Sequence, residues 1–199
     1  MQKEYNEIKP ELSTQDKFKN FYNKYKLPLI SLALFLIIIL ISLGAYYYLQ
    51  EKKRTELSDL YIKARIDIGN NKEKEAKDIL IKIIEKNDKT YSPLSLFLLI
   101  DKNLINDNKK IIELFDNVLD NNNFDKEVRN LIIFKKSIIQ SNFPEEEKLL
   151  QSLKPIINSD TLWKSHGLLF IGDYFFSKNE FIKAKENYVK ILLLPDINN

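Results

Sequence analysis

The stretch Ser165–Pro195, SHGLLFIGDYFFSKNEFIKAKENYVKILLLP, decides how this chain is read. It divides into two helical segments, Asp160–Ser177 and Glu180–Leu194, across a tight turn at Lys178 and Asn179. Counted from Ser165, Gly172 falls at the eighth place, Phe175 at the eleventh, Phe181 at the seventeenth, Ala184 at the twentieth and Tyr188 at the twenty-fourth. Each helix thus carries one very small residue. If these face each other the two helices approach closely, and a larger side chain at either place would impose overpacking strain of about 1–3 kcal/mol.

The same rhythm runs upstream. Glu51–Ile68 has no breaker until Gly69, Asn70 and Asn71, and Lys74–Lys86 carries Ala76, Ile79, Leu80, Ile83 and Ile84 on one face. Further helices are predicted over Pro93–Asn106, Lys109–Asp120, Asp125–Ser141 and Glu145–Leu153, with Pro144 presetting the start of the last. No period-two pattern remains, so the domain is expected to be all-α. Counted from Leu57, Ala64 and Ala76 take the eighth and twentieth places; counted from Ser92, the bulky Leu99 and Ile111 take them. Ala76 precedes Ile111 by 35 residues and Leu149 precedes Ala184 by 35, which gives three to four repeats. This register resembles the tetratricopeptide repeat, and the resemblance implies an α-solenoid of stacked helix pairs.

Ahead of the pairs, Leu27–Leu49 reads LPLISLALFLIIILISLGAYYYL, 23 residues without a charge. A helix of that length reaches about 34 Å, enough to cross a hydrocarbon core of about 30 Å. Tyr46, Tyr47 and Tyr48 at one end, with Phe21, Tyr22 and Tyr25 before the other, suit the headgroup layers. A cleaved signal sequence, with Ser42 and Gly44 before Ala45 as its cleavage site, would have a shorter leader and a shorter apolar core. A soluble core helix is rarely uncharged for so long, so the stretch is read as a transmembrane helix. The chain then comprises a leader with an interfacial helix (1–26), the span (27–49) and the repeat domain (50–199). Residues 1–11 read as a loose tail, Ser13 or Thr14 as the cap of a short helix carrying Phe18, Phe21, Tyr22 and Tyr25, and Pro28 as the boundary before the span. Lys17, Lys19, Lys24 and Lys26 on one side balance Lys52, Lys53, Arg54 and Lys63 on the other, so charge leaves the orientation open.

Composition excludes several function classes. From Glu51 onward 25 basic residues face 24 acidic ones, which is no electrostatic footprint for nucleic acid. There is no cysteine, hence no thiolate nucleophile, and the one histidine offers no metal set. His166 adjoins Ser165 and lies near Asp160 and Asp173, but neighbouring helical residues point about 100° apart and cannot form a catalytic triad. Gly167 and Gly172 have the spacing of a phosphate loop, yet Asp173 follows where lysine belongs. The run DNNNFDKE at 120–127 lacks the glycine and terminal glutamate of a calcium loop and reads as a helix start capped by Asp125. Trp163 reads as a core aromatic near a helix start. No cofactor, small-molecule substrate or enzymatic activity is expected.

The leader DKFKNFYNKYKLP, the span ending GAYYYLQEK, the stretch TYSPLSLF at 90–97 and the helix pairs together resemble the bacterial ancillary SecYEG translocon subunit family and its tetratricopeptide-like relatives in alphaproteobacteria. The resemblance implies an inner-membrane protein with a cytoplasmic amino terminus and a periplasmic repeat domain, working with the Sec translocon and periplasmic chaperones. The same fold also suits a scaffold of another envelope complex, or a membrane-bound signalling regulator, although 26 residues is little for a signalling leader. In tetratricopeptide domains the first helices of the pairs line the inner groove, which maps here to Tyr61, Arg65 and Ile68, to Leu96, Ile100 and Asn103, and to His166, Leu169, Asp173 and Phe176. This set is apolar and aromatic and lacks the clustered Lys and Asn of a carboxylate clamp, so apolar or helical segments are the expected partners. Relatives carry a further helix after the last pair where this sequence reads PDINN, which leaves Ile191, Leu192, Leu193 and Leu194 either as internal packing or as a contact surface.

Overall fold

The computed structural model describes residues 14–194, and all regular structure among them is helical. The helices are α1 (Thr14–Gly69), α2 (Glu73–Ile84), α3 (Tyr91–Asp101), α4 (Asn108–Asp120), α5 (Lys126–Gln140), α6 (Glu146–Ile157), α7 (Lys164–Ser177) and α8 (Phe181–Leu192). The expected tail at 1–11, a cap at Ser13 and Pro195 lie outside the described residues, as does the side chain of Phe18. The chain forms two compact units that divide between Lys53 and Arg54.

In the first unit, α1 is long and apolar enough to cross a bilayer, and no protein covers its apolar window. Pro28 does not interrupt it, contrary to the boundary expected there. Proline removes one backbone hydrogen bond, and that loss falls at the carbonyl of Lys24, at the polar edge of the span where water or headgroups can serve it. Within the apolar stretch the hydroxyls find backbone partners: Ser31 Oγ donates to the Pro28 carbonyl at 2.9 Å and Ser42 Oγ to the Ile38 carbonyl at 2.8 Å. Aromatic side chains cluster at both edges. The Phe21 and Tyr25 rings lie 4.8 Å apart with Lys24 Nζ 5.3 Å from the Tyr25 ring, and Tyr46 meets Tyr47 at 6.0 Å.

The second unit starts with the last turns of α1 and continues through four helix pairs: the end of α1 with α2, α3 with α4, α5 with α6, and α7 with α8. From α2 onward each helix packs on the next in chain order, as a solenoid requires. Three pairs turn on asparagine in the left-handed conformation, Asn71 (φ 58°), Asn103 (φ 52°) and Asn179 (φ 63°). Each turn closes the same way. Lys72 N donates to the Asp67 carbonyl (2.8 Å), Leu104 N to Leu99 (3.0 Å) and Glu180 N to Phe175 (2.9 Å), while the asparagine amide donates to the carbonyl three residues back. This is the Schellman closure, and asparagine fills the place where glycine is commonest.

Apolar burial falls into two cores. The first gathers Ala64, Ala76, Leu80, Ile84, Leu96, Leu99, Ile111, Phe115, Val118 and Ile132; the second gathers Leu149, Leu153, Ile156, Ile171, Tyr174, Phe175 and Ala184. Helix α5 serves both, with Ile132 in the first core and Phe134 packed against the second. Ser137, fully buried, stands in α5 at the place that Ala64 takes in the first pair and Gly172 in the fourth, so the third pair also has a small residue there. The eighth places thus fall at 64, 99, 137 and 172, the middle spacing being three residues longer than the others. The extra residues lie in the α4–α5 region, where Asn122 Nδ2 folds back on the Val118 carbonyl and Asp125 Oδ1 accepts from Val128 N at 3.0 Å. Helix α3 runs from Tyr91 to Asp101 where Pro93–Asn106 was expected, α6 runs through Pro155 to Ile157, and α7 begins at Lys164 instead of Asp160. Asp88 accounts for the first difference: its carboxylate takes Thr90 N and Tyr91 N at 2.8 and 2.7 Å and starts the helix early.

Candidate protein-binding surface

The residues expected to line a groove divide three ways. Leu96 is fully buried in the first core and presents nothing to a partner, a correction to the groove reading. Its helix, YSPLSLFLLID, is apolar nearly all round, so Leu96 is taken inward by packing on α2 and α4. Asn103 is exposed, but its role is the left-handed closure after α3, which fixes its backbone. Tyr61, Ile68 and Ile100 are half-buried against the first core, with the Tyr61 ring 6.1 Å from Tyr91, while Arg65 is exposed.

The last pair carries the exposed members. Helix α7 turns Gly167, Leu168, Ile171, Tyr174 and Phe175 inward and leaves His166, Leu169, Asp173 and Phe176 outside. Leu169 is 48% exposed and Phe176 57%, and Phe176 stacks edge-on against Phe181 at 5.3 Å. Asp173 Oδ1 accepts a 2.8 Å hydrogen bond from Tyr188 Oη on α8. That bond, with burial acting the same way, holds the Tyr188 phenol above its ordinary value of 10.0. Tyr188 lies across Gly172: a Cβ at 172 would stand 2.3 Å from its Cε1 and 2.7 Å from its Cδ1. Gly172 was expected to face Ala184; its nearest neighbour is this ring, which fills the space a side chain would take.

A polar latch sets where α7 begins, and residue spacing gave no sign of it. Glu127 Oε2 accepts from Thr161 Oγ1 (2.7 Å) and from Leu162 N (3.1 Å), Asn130 Nδ2 donates to Thr161 Oγ1 (3.0 Å), and Lys126 Nζ donates to the Asp160 carbonyl. Trp163 follows, its ring 5.7 Å from Phe134 and 5.3 Å from His166. His166 is therefore an exposed ring on an aromatic cluster, with Ser165 beside it and no triad geometry. Two further apolar side chains, Ile62 and Ile66, are exposed one helical turn apart on α1, and Leu192 and Leu193 are exposed on the last turn of α8 while Ile191 and Leu194 are half-buried.

A tetratricopeptide repeat-like domain model matches residues 19–193. The chain belongs to this family. No curated protein and no solved structure matches it. The tetratricopeptide repeat-like match begins ahead of the apolar stretch and ends at the close of α8, so the apolar helix and the helix pairs fall within one family unit. Stacked repeats of this kind present extended surfaces for protein–protein interaction. In this tetratricopeptide repeat-like chain the A helices of the first two pairs direct most of their groove positions into packing, whereas α7 leaves its positions free. A cleft of about 460 Å³ between α4 and the α5–α6 turn, edged by Lys109, Asp116, Lys136, Phe143 and Lys148, holds the 2.5 Å Lys136–Asp116 pair and the Lys148–Glu145 pair.

Proposed function

We propose that this protein is a membrane-anchored adaptor that binds protein segments on its helical repeats and performs no chemistry of its own. The observation that carries the reading is the repeat-like family match, which takes in the apolar helix and all four pairs together. The anchor holds the repeats at a membrane surface, where confinement raises the effective concentration of any membrane-associated partner. We further propose that the membrane is the bacterial inner membrane, with the amino terminus cytoplasmic and the repeats periplasmic, and that the partners are the Sec translocon and a periplasmic chaperone. Support for that finer reading is the sequence resemblance of the leader, span and TYSPLSLF stretch to the ancillary translocon subunits. The apolar and aromatic character of Leu169 and Phe176 favours an apolar or helical partner segment over a charged terminus.

Crosslinking in native membranes, followed by identification of captured proteins, tests the partner assignment: recovery of translocon components and a periplasmic chaperone is expected, and recovery of neither overturns it. A reporter fused to the carboxyl terminus tests topology independently. Activity of a reporter that works only in the cytoplasm would reverse the assigned orientation.

A further inference from the structure

We propose that the outward face of α7 is a homodimer interface in which two copies of the chain pack antiparallel about a two-fold axis at Leu169. The inference rests on the reading of this face as a protein-binding surface and names its occupant as a second copy. Four residues on the outward face of α7, His166, Leu169, Asp173 and Phe176, follow one another at spacings of 3, 4 and 3, and continuing the stripe four residues back reaches Leu162 in the turn before the helix. At 100° per residue these four helical positions share an arc of about 80° opposite the arc that holds Leu168, Ile171 and Phe175. The order is self-complementary. Leu162 stands seven residues before Leu169, in the turn that leads into the helix, and Phe176 seven residues after Leu169, about 10 Å along the axis. His166 stands about 4.5 Å before it and Asp173 about 6 Å after it. An antiparallel copy therefore sets Leu162 beside the second copy's Phe176, His166 beside its Asp173, and Leu169 against its own equivalent, which is the reciprocal contact an isologous interface demands.

The polar members of the stripe are suited to that pairing. Tyr188 occupies Asp173 Oδ1 and fixes the carboxylate, while Oδ2 meets no donor among the described residues. The His166 ring rests on Trp163 and Phe134 by ring contact and makes no hydrogen bond among the described residues. A donor without an acceptor and an acceptor without a second donor face outward on one stripe. Leu162 is 79% exposed and Phe181, 54% exposed, extends the face beside Phe176. Together Leu162, Leu169, Phe176 and Phe181 present on the order of 500 Å² of apolar surface, the larger part of the ~800 Å² that one side of a standard interface buries.

The absence of cysteine makes the test direct, because each introduced thiol is the only one in the chain. In the full-length protein in detergent, Leu169→Cys should oxidise to a disulfide dimer at least tenfold faster than Lys102→Cys, which lies away from α7. Mixing Leu162→Cys with Phe176→Cys chains should give the mixed dimer in preference to either homodimer. Sedimentation should show two protomers for the wild type, at least tenfold weaker association for Leu169→Asp and for His166→Asp, and association regained in His166→Asp/Asp173→Lys. A monomeric wild type at tens of micromolar, a dimer that survives Leu169→Asp, or no selectivity at residue 169 overturns the proposal. Crosslinking through the Leu169→Cys thiol in native membranes separates the two readings: other proteins captured with no homodimer would remove the second copy and keep the binding face, and capture of no protein at all would remove both.

Discussion

Replacing Gly172 by alanine should destabilise the second core, although alanine is the better helix former. An ideal Cβ at 172 lies 2.3, 2.7 and 3.0 Å from Cε1, Cδ1 and Cζ of Tyr188. Carbon atoms prefer about 3.5–4.0 Å, so the ring must withdraw by at least about 1 Å. It is not free to do so, because its hydroxyl is tied to Asp173 Oδ1 at 2.8 Å. Overpacking of this kind costs about 1–3 kcal/mol, and loosening a hydrogen bond that is partly open to water adds about 0.5 kcal/mol. The exchange of glycine for alanine inside a helix returns about 0.5–1 kcal/mol. The net expectation is a loss of about 1–2 kcal/mol. In a Tyr188→Ala background the clash disappears and only the propensity gain remains, so Gly172→Ala should become stabilising by about 0.5–1 kcal/mol, a coupling of about 2 kcal/mol between the sites. Trp163 is the only tryptophan and packs against the second core, so denaturant unfolding of the full-length protein in detergent, followed by its fluorescence, reads the right region. An equal effect of Gly172→Ala in both backgrounds would refute the reasoning.

Asn71→Ala and Asn179→Ala should each lower the thermal midpoint by an amount worth about 1 kcal/mol, since a Cβ-bearing residue without asparagine's local hydrogen bonding is strained at positive φ. The glycine variants should match or exceed the wild type in the same circular-dichroism melts. Ser92→Ala should cost about 1–3 kcal/mol in denaturant titration, because Ser92 Oγ, fully buried, donates to the Ile83 carbonyl at 3.0 Å and accepts from Asp88 N at 2.9 Å. Tyr188 should make the last pair sensitive to alkali. Its phenol is raised above 10.0 first by the bond to Asp173, so its contribution is complete below that pH and is lost as pH rises through the folded value. The difference in unfolding midpoint between wild type and Tyr188→Phe should therefore hold at neutral pH and shrink above pH 10.

The parts of the fold that local sequence announces are those set by local physics. Small residues at Ala64, Ala76, Gly172 and Ala184, the asparagines of the turns at 71 and 179 and an uncharged helix each leave a signature within a few residues, whereas the turn at Asn103 falls inside the helix expected over Pro93–Asn106. Packing follows the same rule. From α2 onward, α7 and α8, with Gly172 and Ala184 at their crossing, touch most extensively among consecutive helices, and α3 and α4, with Leu99 and Ile111 there, touch least. What stayed hidden depends on partners distant in the chain. The Glu127–Thr161–Asn130 latch joins residues more than 30 apart, and neither end carries a motif. The third pair lost its phase because the spacing into it is three residues longer, so Ser137 did not stand out as its small residue. Leu96 was misplaced for a different reason: on a helix apolar on nearly every side, periodicity cannot separate a groove face from a core face.

A helix needs one apolar arc to fold into a solenoid, and α7 has it in Leu168, Ile171, Tyr174 and Phe175, all buried. Its tight seating on α8 at Gly172 completes the packing without help from the opposite side. Isolated exposed apolar residues are ordinary on protein surfaces. Leu169 and Phe176 are not isolated: they share one arc at heptad spacing, Leu162 stands seven residues earlier in the turn before the helix, Phe181 is joined to Phe176 by ring contact, and a histidine and an aspartate lie between them. Folding of the chain does not require that arrangement, whereas recognition of a second helix does, because a stripe at that spacing is what one helix offers to another. The α1 pair Ile62 and Ile66 is also exposed, but it spans a single turn and is flanked by Lys63 and Arg65, so it lacks the length for a helix–helix contact. The two surfaces therefore carry different weight, and the one on α7 has the length and spacing that a helix–helix contact needs.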